Sequence, residues 1–275
     1  MTEHEASVVH PSPAELLEIA RSIAAEAAAF AAEARRHGVS VAATKSTPTD
    51  IVTAVDRDTE ALIRRRILEA RPDDGILGEE DATRIGTTGL DWVVDPIDGT
   101  VNFLYGIPMW SISIAVVSGS TDPATWTALA GVVANPTTGE VYAASLGGGA
   151  TRDGEPIRAN EDVPADRALV ATGFSYSAER RREQGRVAAE LLPQIRDLRR
   201  LGSAALDLCA VADGRLDAFY ERGLNPWDQA AGGLVAREAG AVVGGLGGAP
   251  ATGEMVLAAG PGLFDELAAM LEAAG

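Results

Sequence analysis

The sequence predicts a mixed fold on the border of α+β and α/β, and three observations predict it. An Ala/Glu-rich helical pattern opens the chain, short apolar runs joined by brief turns fill the middle, and strands alternate with helices after about residue 160. Brief connections favour an antiparallel or mixed sheet in the middle. The later alternation favours strand–helix units.

Residues 1–12 are expected to form a disordered lead-in. Leu16, Leu17, Ile19, Ala20, Ile23 and Ala27 recur at helical spacing between Pro13 and His37, with Gly38 as the stop. The polar run Thr44–Asp50 is a loop, either merely exposed or part of an active site. A second helix is expected from about Asp58 to Ala70, with Leu62, Ile63 and Ile67 on one face. Strands follow at 92–95, 110–117, 127–134 and 140–145, the last pairing back across an Asn-Pro-Thr-Thr-Gly turn. Further on, strands are expected at 168–172, 215–220, 241–243 and 255–258. Helices are expected at 177–195, 203–212, 226–239 and 263–273. The texture change divides the chain into an N-terminal half, 13–160, and a C-terminal half, 161–275.

Composition narrows the function classes. A chain of 275 residues that is 46% hydrophobic can bury a sizeable core. The net charge of −17 argues against a direct nucleic-acid or anionic-membrane binder. No stretch approaches the ~18 apolar residues of a membrane span. Glu3 and Glu5 without an apolar core do not resemble a secretory signal. Cys209 is the single cysteine, which rules out an intrachain disulfide and a cysteine-type zinc site. A cytoplasmic location is therefore expected. The three histidines, His4, His10 and His37, all precede residue 38. Acid–base work must then come from carboxylates, lysine, hydroxyls or metal-bound water, and histidine triads and HExxH hydrolases are excluded.

Trp92-Val-Val-Asp95-Pro-Ile-Asp98-Gly-Thr100 places two acids at the end of an apolar run. Two carboxylates about 4 Å apart repel by about 4 kcal/mol at an effective dielectric of ~20. Such a pair wants a cation, a shared proton or wide separation, and hard divalent cations take oxygen ligands. A strand has a period of two, so D-x-x-D needs a turn between its acids to bring them together, and Pro96 supports one. Glu79, Asp56, Glu221 and Asp228 each end or open an apolar or turn element. Taken singly, Asp56 and Asp228 read equally well as helix N-caps, and Glu79-Glu80 as a solvated pair.

Five segments, in order, resemble the inositol monophosphatase family of lithium-sensitive, magnesium-dependent phosphatases. They are Lys45 to Asp56, Gly78-Glu-Glu80, Trp92 to Asn102, Arg199 to Leu208, and Asp217 to Asp228. The match spans roughly residues 15 to 270, and Arg199–Leu208 is most similar to the bacterial inositol-1-monophosphatase branch. The resemblance implies a layered α-β-α-β-α sandwich of the sugar-phosphatase type. It implies a Mg²⁺ site of Glu79, Asp95, Asp98 and the Ile97 carbonyl, a second of Asp95, Asp98 and Asp228, and a weaker third at Asp56. Two to three Mg²⁺ per subunit are thus expected. Phosphate is expected on the N–H groups of Gly99 and Thr100. Gly202, Ser203, Ala204 and Glu221 are expected to hold the hydroxyls of a small phosphorylated polyol, with Arg199 near the substrate or a dimer contact. Lys45 falls in a loop that closes near the site. The main metal site belongs to the N-terminal half, and Asp228 with the specificity residues to the C-terminal half. A homodimer is expected.

The implied reaction is in-line attack by metal-activated water on a phosphate monoester, with Thr100 and Asp56 orienting water or accepting its proton. Bound Mg²⁺ would reverse the sign of an acidic cleft and so admit an anionic substrate. Inositol 1-phosphate is the first candidate. Histidinol phosphate, a 3′-phosphonucleotide, fructose bisphosphate and NADP are alternatives, the bisphosphates being disfavoured by Glu221. A role as a protein partner of transcription machinery is the alternative from another class. Two other motifs carry less. Asp95-x-x-Asp98-x-Thr100 is one residue off the D-x-D-x-T of haloacid-dehalogenase phosphatases. Cys209-x5-Arg215 matches a tyrosine-phosphatase loop, but Cys209 falls in an apolar helical run and reads as a buried structural thiol.

Overall fold

Ser12 starts the first helix, α1 (Pro13–Arg36), through a reciprocal cap: its hydroxyl accepts the Glu15 N–H, and the Glu15 carboxylate accepts the Ser12 N–H at 2.7 Å. The computed structural model describes residues 11–37, 41–44 and 51–275, with backbone alone at 41–44 and 51–52. Residues 1–10 of the expected lead-in 1–12, the expected stop Gly38, and residues 45–50 of the polar run, Lys45 among them, lie outside the described residues, while Ser12, expected in the lead-in, caps α1.

A short antiparallel ribbon, β1 (Val41–Thr44) with β2 (Ile51–Thr53), leads into α2 (Ala54–Ala70). That helix begins four residues before the expected Asp58, because Thr53 and Asp56 close a capping box ahead of it. A seven-stranded sheet follows: β3 (Gly75–Gly78), β4 (Leu90–Asp98), β5 (Ser111–Ser118), β6 (Thr127–Ala134), β7 (Val141–Ser145), β8 (Gly149–Arg152) and β9 (Glu155–Pro156). Its spatial order follows the sequence, with β3 and β4 parallel and every other pair antiparallel. The expectation of a mixed sheet holds. Helix α3 (Thr100–Tyr105), between β4 and β5, was not expected.

The C-terminal half supplies β10 (Leu169–Thr172), α4 (Ala178–Leu191), β11 (Asp197–Arg199), α5 (Ala204–Ala212), β12 (Ala218–Glu221), α6 (Pro226–Glu238), β13 (Val242–Gly244), β14 (Val256–Ala259) and α7 (Pro261–Ala274). Its five-stranded sheet has the order β11-β10-β12-β14-β13, with β10 parallel to both β11 and β12. The helix expected over 177–195 stops at Leu191. A 3₁₀ turn containing Pro193 follows, and Asp197–Arg199 pairs as a strand.

Three apolar clusters stack these parts into five layers. One lies between α1, α2 and the outer face of the seven-stranded sheet, with Leu16, Ile63, Trp92 and Ile114 fully buried. The next holds α5 and α6 between the two sheets, and the last joins α4 and α7 to the far face of the five-stranded sheet. The α-β-α-β-α sandwich is the architecture observed. Each fully buried Leu, Ile or Val in these clusters contributes about 1.5–3 kcal/mol relative to exposure. Gly131 allows a close approach between α6 and the first sheet: a Cβ there would lie 3.0 Å from the Ala231 backbone.

Candidate active site

The tip of β4 brings the two acids of the Asp95–Thr100 run together, and it does so without a turn. Asp95 pairs with Ser113 and Asp98 with Ser111, so three steps on β4 match two on β5. The extra residue is a β-bulge, and it converts a spacing of three into an effective two. Both carboxylates therefore leave the same face. Pro96 sits inside this irregularity, where no ladder hydrogen bond is needed from it. The expected turn is corrected to a bulge. Ile97 donates its N–H to Asp95 Oδ1 at 3.0 Å, which ties the bulge to the acid it presents.

Asp228 arrives from the first turn of α6. Its Oδ2 accepts the Asn225 N–H at 2.6 Å, and Pro226 starts the helix. One carboxylate oxygen from each of Asp95, Asp98 and Asp228 lies within 4.8 Å of the others. Glu79 follows β3, whose parallel register pairs Gly78 with Val94 and so places Glu79 beside Asp95. Burial pushes Asp95 and Asp228 well above the usual carboxylate range, and the charge of Glu79 adds to it. Burial also raises Asp98, to about 6, against the pull of the Ser203 hydroxyl and the Ala205 N–H, the latter 2.8 Å from Oδ2. Hard oxygen donors, crowded and buried, fit a divalent cation. Without one, burial and mutual repulsion favour the protonated forms of these acids.

Gly99 joins this wall to the rest of the cleft. Its φ of +95° suits glycine, and a Cβ would fall 2.9 Å from the Gly202 carbonyl and 3.0 Å from that of Met109. Asn102 bridges the same gap, donating to the carbonyls of Met109 at 2.6 Å and Leu201 at 2.8 Å. Thr100 opens α3, and its hydroxyl lies 3.2 Å from both Asp56 Oδ1 and the Ile97 carbonyl. Asp56 is buried and raised by burial. It also accepts the Thr53 N–H at 2.9 Å, as the third residue of α2. Asp56 and Asp228 are thus not N-caps but the third residues of capping boxes headed by Thr53 and Asn225; Asp228 lines the cleft, and Asp56 is linked to it through Thr100.

A cleft of about 260 Å³ runs from these acids to the end of β12. Glu79, Asp95, Ile97, Asp98, Gly99, Thr100, Gly202, Ser203, Ala204, Glu221 and Asp228 all line it. Asp56 reaches it through Thr100. Glu221 is pushed up to about 7, chiefly by burial; the nearby Arg200 guanidinium pulls it down and Asp98 pushes it up. Gly173, next to Glu221 across the β10–β12 pair, leaves room for that carboxylate: a Cβ would sit 2.0 Å from Oε2.

Arg200 and Asp207 are among the lining residues that the sequence did not assign to the site. Arg200, not Arg199, presents its guanidinium to the cleft. Arg199 is exposed and bonded to Asp197 at 2.7 Å, away from the lining. Neighbouring residues at a strand end point to opposite sides, and recognising 197–199 as a strand would have separated them. Asp207 is 1% exposed, with no hydrogen-bond partner for Oδ1. Burial raises it well above the usual range, and Glu221 and Asp98 push the same way. A lone acid in the apolar run Ala204–Ala212, one turn after Ser203, was the available signal. Cys209 is fully buried with its thiol raised by burial, and Arg215 bonds Asp213 and Glu140, so no thiolate loop forms.

The inositol monophosphatase family profile matches residues 12–274. Inositol-1-monophosphatase SuhB of Mycobacterium tuberculosis is 46% identical over 280 aligned residues, covering 94% of each chain. Nus factor SuhB of Salmonella typhimurium is 40% identical over 74% of each. Among solved structures, Mycobacterium tuberculosis SuhB superposes with a TM-score of 0.81 at 44% identity, covering 96% of this chain and 98% of that one. Inositol monophosphate bound SaIMPase-II gives 0.76 at 28% identity, covering 94% of each. With the architecture and the acidic cleft in agreement, the chain belongs to the inositol monophosphatase family.

Proposed function

We propose that this protein hydrolyses inositol 1-phosphate to inositol and phosphate. The observation that carries this is the convergence of Asp95, Asp98 and Asp228 within 4.8 Å, in a cleft whose other end is Glu221. Glu79, Asp95, Asp98, Asp228 and the Ile97 carbonyl would hold Mg²⁺, with Asp56 at a weaker third position. Bound there, Mg²⁺ supplies charge neutralisation for the phosphate and the leaving oxygen and lowers the pKa of water.

The chain's own groups do the rest. Thr100 Oγ1 donates to Asp56 Oδ1, which leaves its lone pair directed at an attacking water. Burial makes Asp56 a stronger base than an exposed aspartate, so it can take the proton that passes through Thr100. The N–H groups of Gly99 and Thr100 orient the phosphate. Glu221, with the Gly202–Ala204 segment, accepts hydrogen bonds from ring hydroxyls, and its acidity disfavours a second phosphate. Lys45 is assigned a supporting role. Among the described residues no helix is long and apolar enough to cross a membrane. A cytoplasmic homodimer completes the proposal, with its mass in solution as the check.

Phosphate release from inositol 1-phosphate, histidinol phosphate and adenosine 3′,5′-bisphosphate, with and without Mg²⁺, tests the assignment. The inositol ester should be preferred, and a tenfold preference for either other ester would overturn the choice of substrate. A second role as a protein partner of transcription machinery is supported by the Salmonella typhimurium relative called Nus factor SuhB. Catalytically dead Asp95→Asn protein should retain such a partner in a pull-down. Loss of all specific capture by both wild type and variant would argue against it.

A further inference from the structure

Helix α2 carries Asp56 and, one turn later on the same face, Glu60. Glu60 is 1% exposed and does not line the cleft. Its two carboxylate oxygens accept the N–H groups of Glu80 at 2.8 Å and Asp81 at 3.1 Å. Arg64, the next turn of α2, donates Nε to the same carboxylate at 2.7 Å and Nη2 to the Asp81 carbonyl at 3.0 Å. On the other side of Glu79, Gly78 approaches so closely that a Cβ would lie 2.3 Å from Glu60 Oε1. Glu60 therefore bonds the backbone just after Glu79 and packs closely against the backbone just before it.

A buried carboxylate is costly unless its oxygens are bonded. Here, beside the one bond from Arg64 on its own helix, both backbone donors lie in a segment about twenty residues distant. Two N–H donors on one carboxylate fix the path of the chain from 79 to 81. The direction of the Glu79 side chain follows from that path. We propose that Glu60 is a positioning residue for Glu79, setting the cation affinity of the cleft without touching substrate. This rests on the assignment of Glu79 as a cation ligand made above.

Magnesium binding by calorimetry, on full-length wild-type, Glu60→Gln and Arg64→Met proteins, tests it beside the Mg²⁺ dependence of phosphate release. Glutamine keeps one acceptor oxygen and turns an NH₂ toward the other backbone donor. Residues that orient metal ligands typically change affinity 10–100-fold. Glu60→Gln should weaken Mg²⁺ binding at least ~10-fold, raise the Mg²⁺ needed for half-maximal activity by the same factor, and leave kcat at saturating Mg²⁺ within about threefold. A purely stabilising role would lower the melting temperature and leave Mg²⁺ affinity of the folded protein unchanged, and that result would overturn the proposal. Should Glu60→Gln fail to fold, Arg64→Met, at the outer end of the same grip, must weaken Mg²⁺ binding by a smaller factor; unchanged binding there would equally overturn it. Wild-type protein that binds no Mg²⁺ would overturn the parent assignment of Glu79, which is a different result from equal binding by wild type and variants.

Discussion

The two ends of the cleft are built in different ways. At the β4 end, one contiguous run, Asp95 to Thr100, supplies most of the chemistry. Strand register then adds Glu79, and α2 adds Asp56. At the β12 end, Glu221, Arg200, Ser203 and Asp207 come from three elements or their flanks, and meet only because β11, β10 and β12 run in parallel beside α5. The first end is held by short bonds, some among its own residues and some from Ser203 and Ala205 to Asp98. The second contains an acid with an unbonded oxygen and a glutamate poised near neutrality. The proposed cation end is built around one local run, to which topology adds Glu79, Asp56 and Asp228, while the proposed substrate end is specified by topology alone. Small changes of sequence can therefore retune the substrate end while the chemistry stays in place.

The largest effect should come from breaking the cation end. Asp95→Asn or Asp228→Asn removes a charge from the three-acid cluster. If Mg²⁺ supplies several kcal/mol of transition-state stabilisation, turnover should fall by about 10³-fold or more at saturating substrate. Steady-state phosphate release measures it, with circular dichroism to show that the fold persists.

At the substrate end, Glu221→Gln should act mainly on KM. A hydrogen bond to a charged group is worth about 1.5–3 kcal/mol, so KM for inositol 1-phosphate should rise about 10-fold or more, with kcat far less affected. A fall in kcat equal to that for Asp95→Asn would erase the distinction between the ends.

Proton linkage gives the next test. Asp98 and Glu221 have folded pKa values of about 6 and about 7, above their ordinary values near 4. Asp95 and Asp228 shift in the same direction. The folded, metal-free protein thus holds more protons than the unfolded chain between about pH 4 and about pH 7. Its stability is greatest at the acid side of that window and declines as pH rises through it. Melting temperatures in EDTA should fall from pH 5 to pH 7.5, and Mg²⁺ should flatten the slope. Glu221→Gln should remove only part of the slope, because the cation end contributes the rest.

The smallest effect separates two neighbours. Arg199→Ala breaks an exposed pair with Asp197 and a bond to the adjacent Leu198 carbonyl, and should change kinetic constants less than twofold. Arg200→Ala removes the guanidinium beside Glu221 and should raise KM severalfold. The reverse order would show that the solution structure differs from the one described.

This contrast also explains what could be read from the chain. Hydrophobic period gave the mixed class and most elements, which differ from expectation by a few residues at their ends, while the layered sandwich was implied by the resemblance of five ordered segments. Asp95, Asp98 and Thr100 were legible because they are adjacent in sequence and their spacing is chemically unusual after an apolar strand. The bulge that unites the two acids was not legible, because it depends on the partner strand β5. Arg200 was confused with Arg199 because β11 is three residues long, too short to show alternation. Asp207 was passed over because its importance lies in what faces it, Glu221 and Asp98, which are far away in sequence. Glu60 reads as one more charged residue of an exposed-looking helix until its backbone partners at 80 and 81 are seen.

The central claim is that acids brought from β4 and α6 form one cation-dependent phosphatase site. Phosphate release from inositol 1-phosphate by wild-type and Asp228→Asn protein, titrated with Mg²⁺ from an EDTA-stripped start, tests it most directly. Wild-type activity should be absent in EDTA and return with Mg²⁺, while Asp228→Asn should stay about 10³-fold below it at every Mg²⁺ concentration. Undiminished wild-type release in EDTA, or full activity of Asp228→Asn, would contradict it.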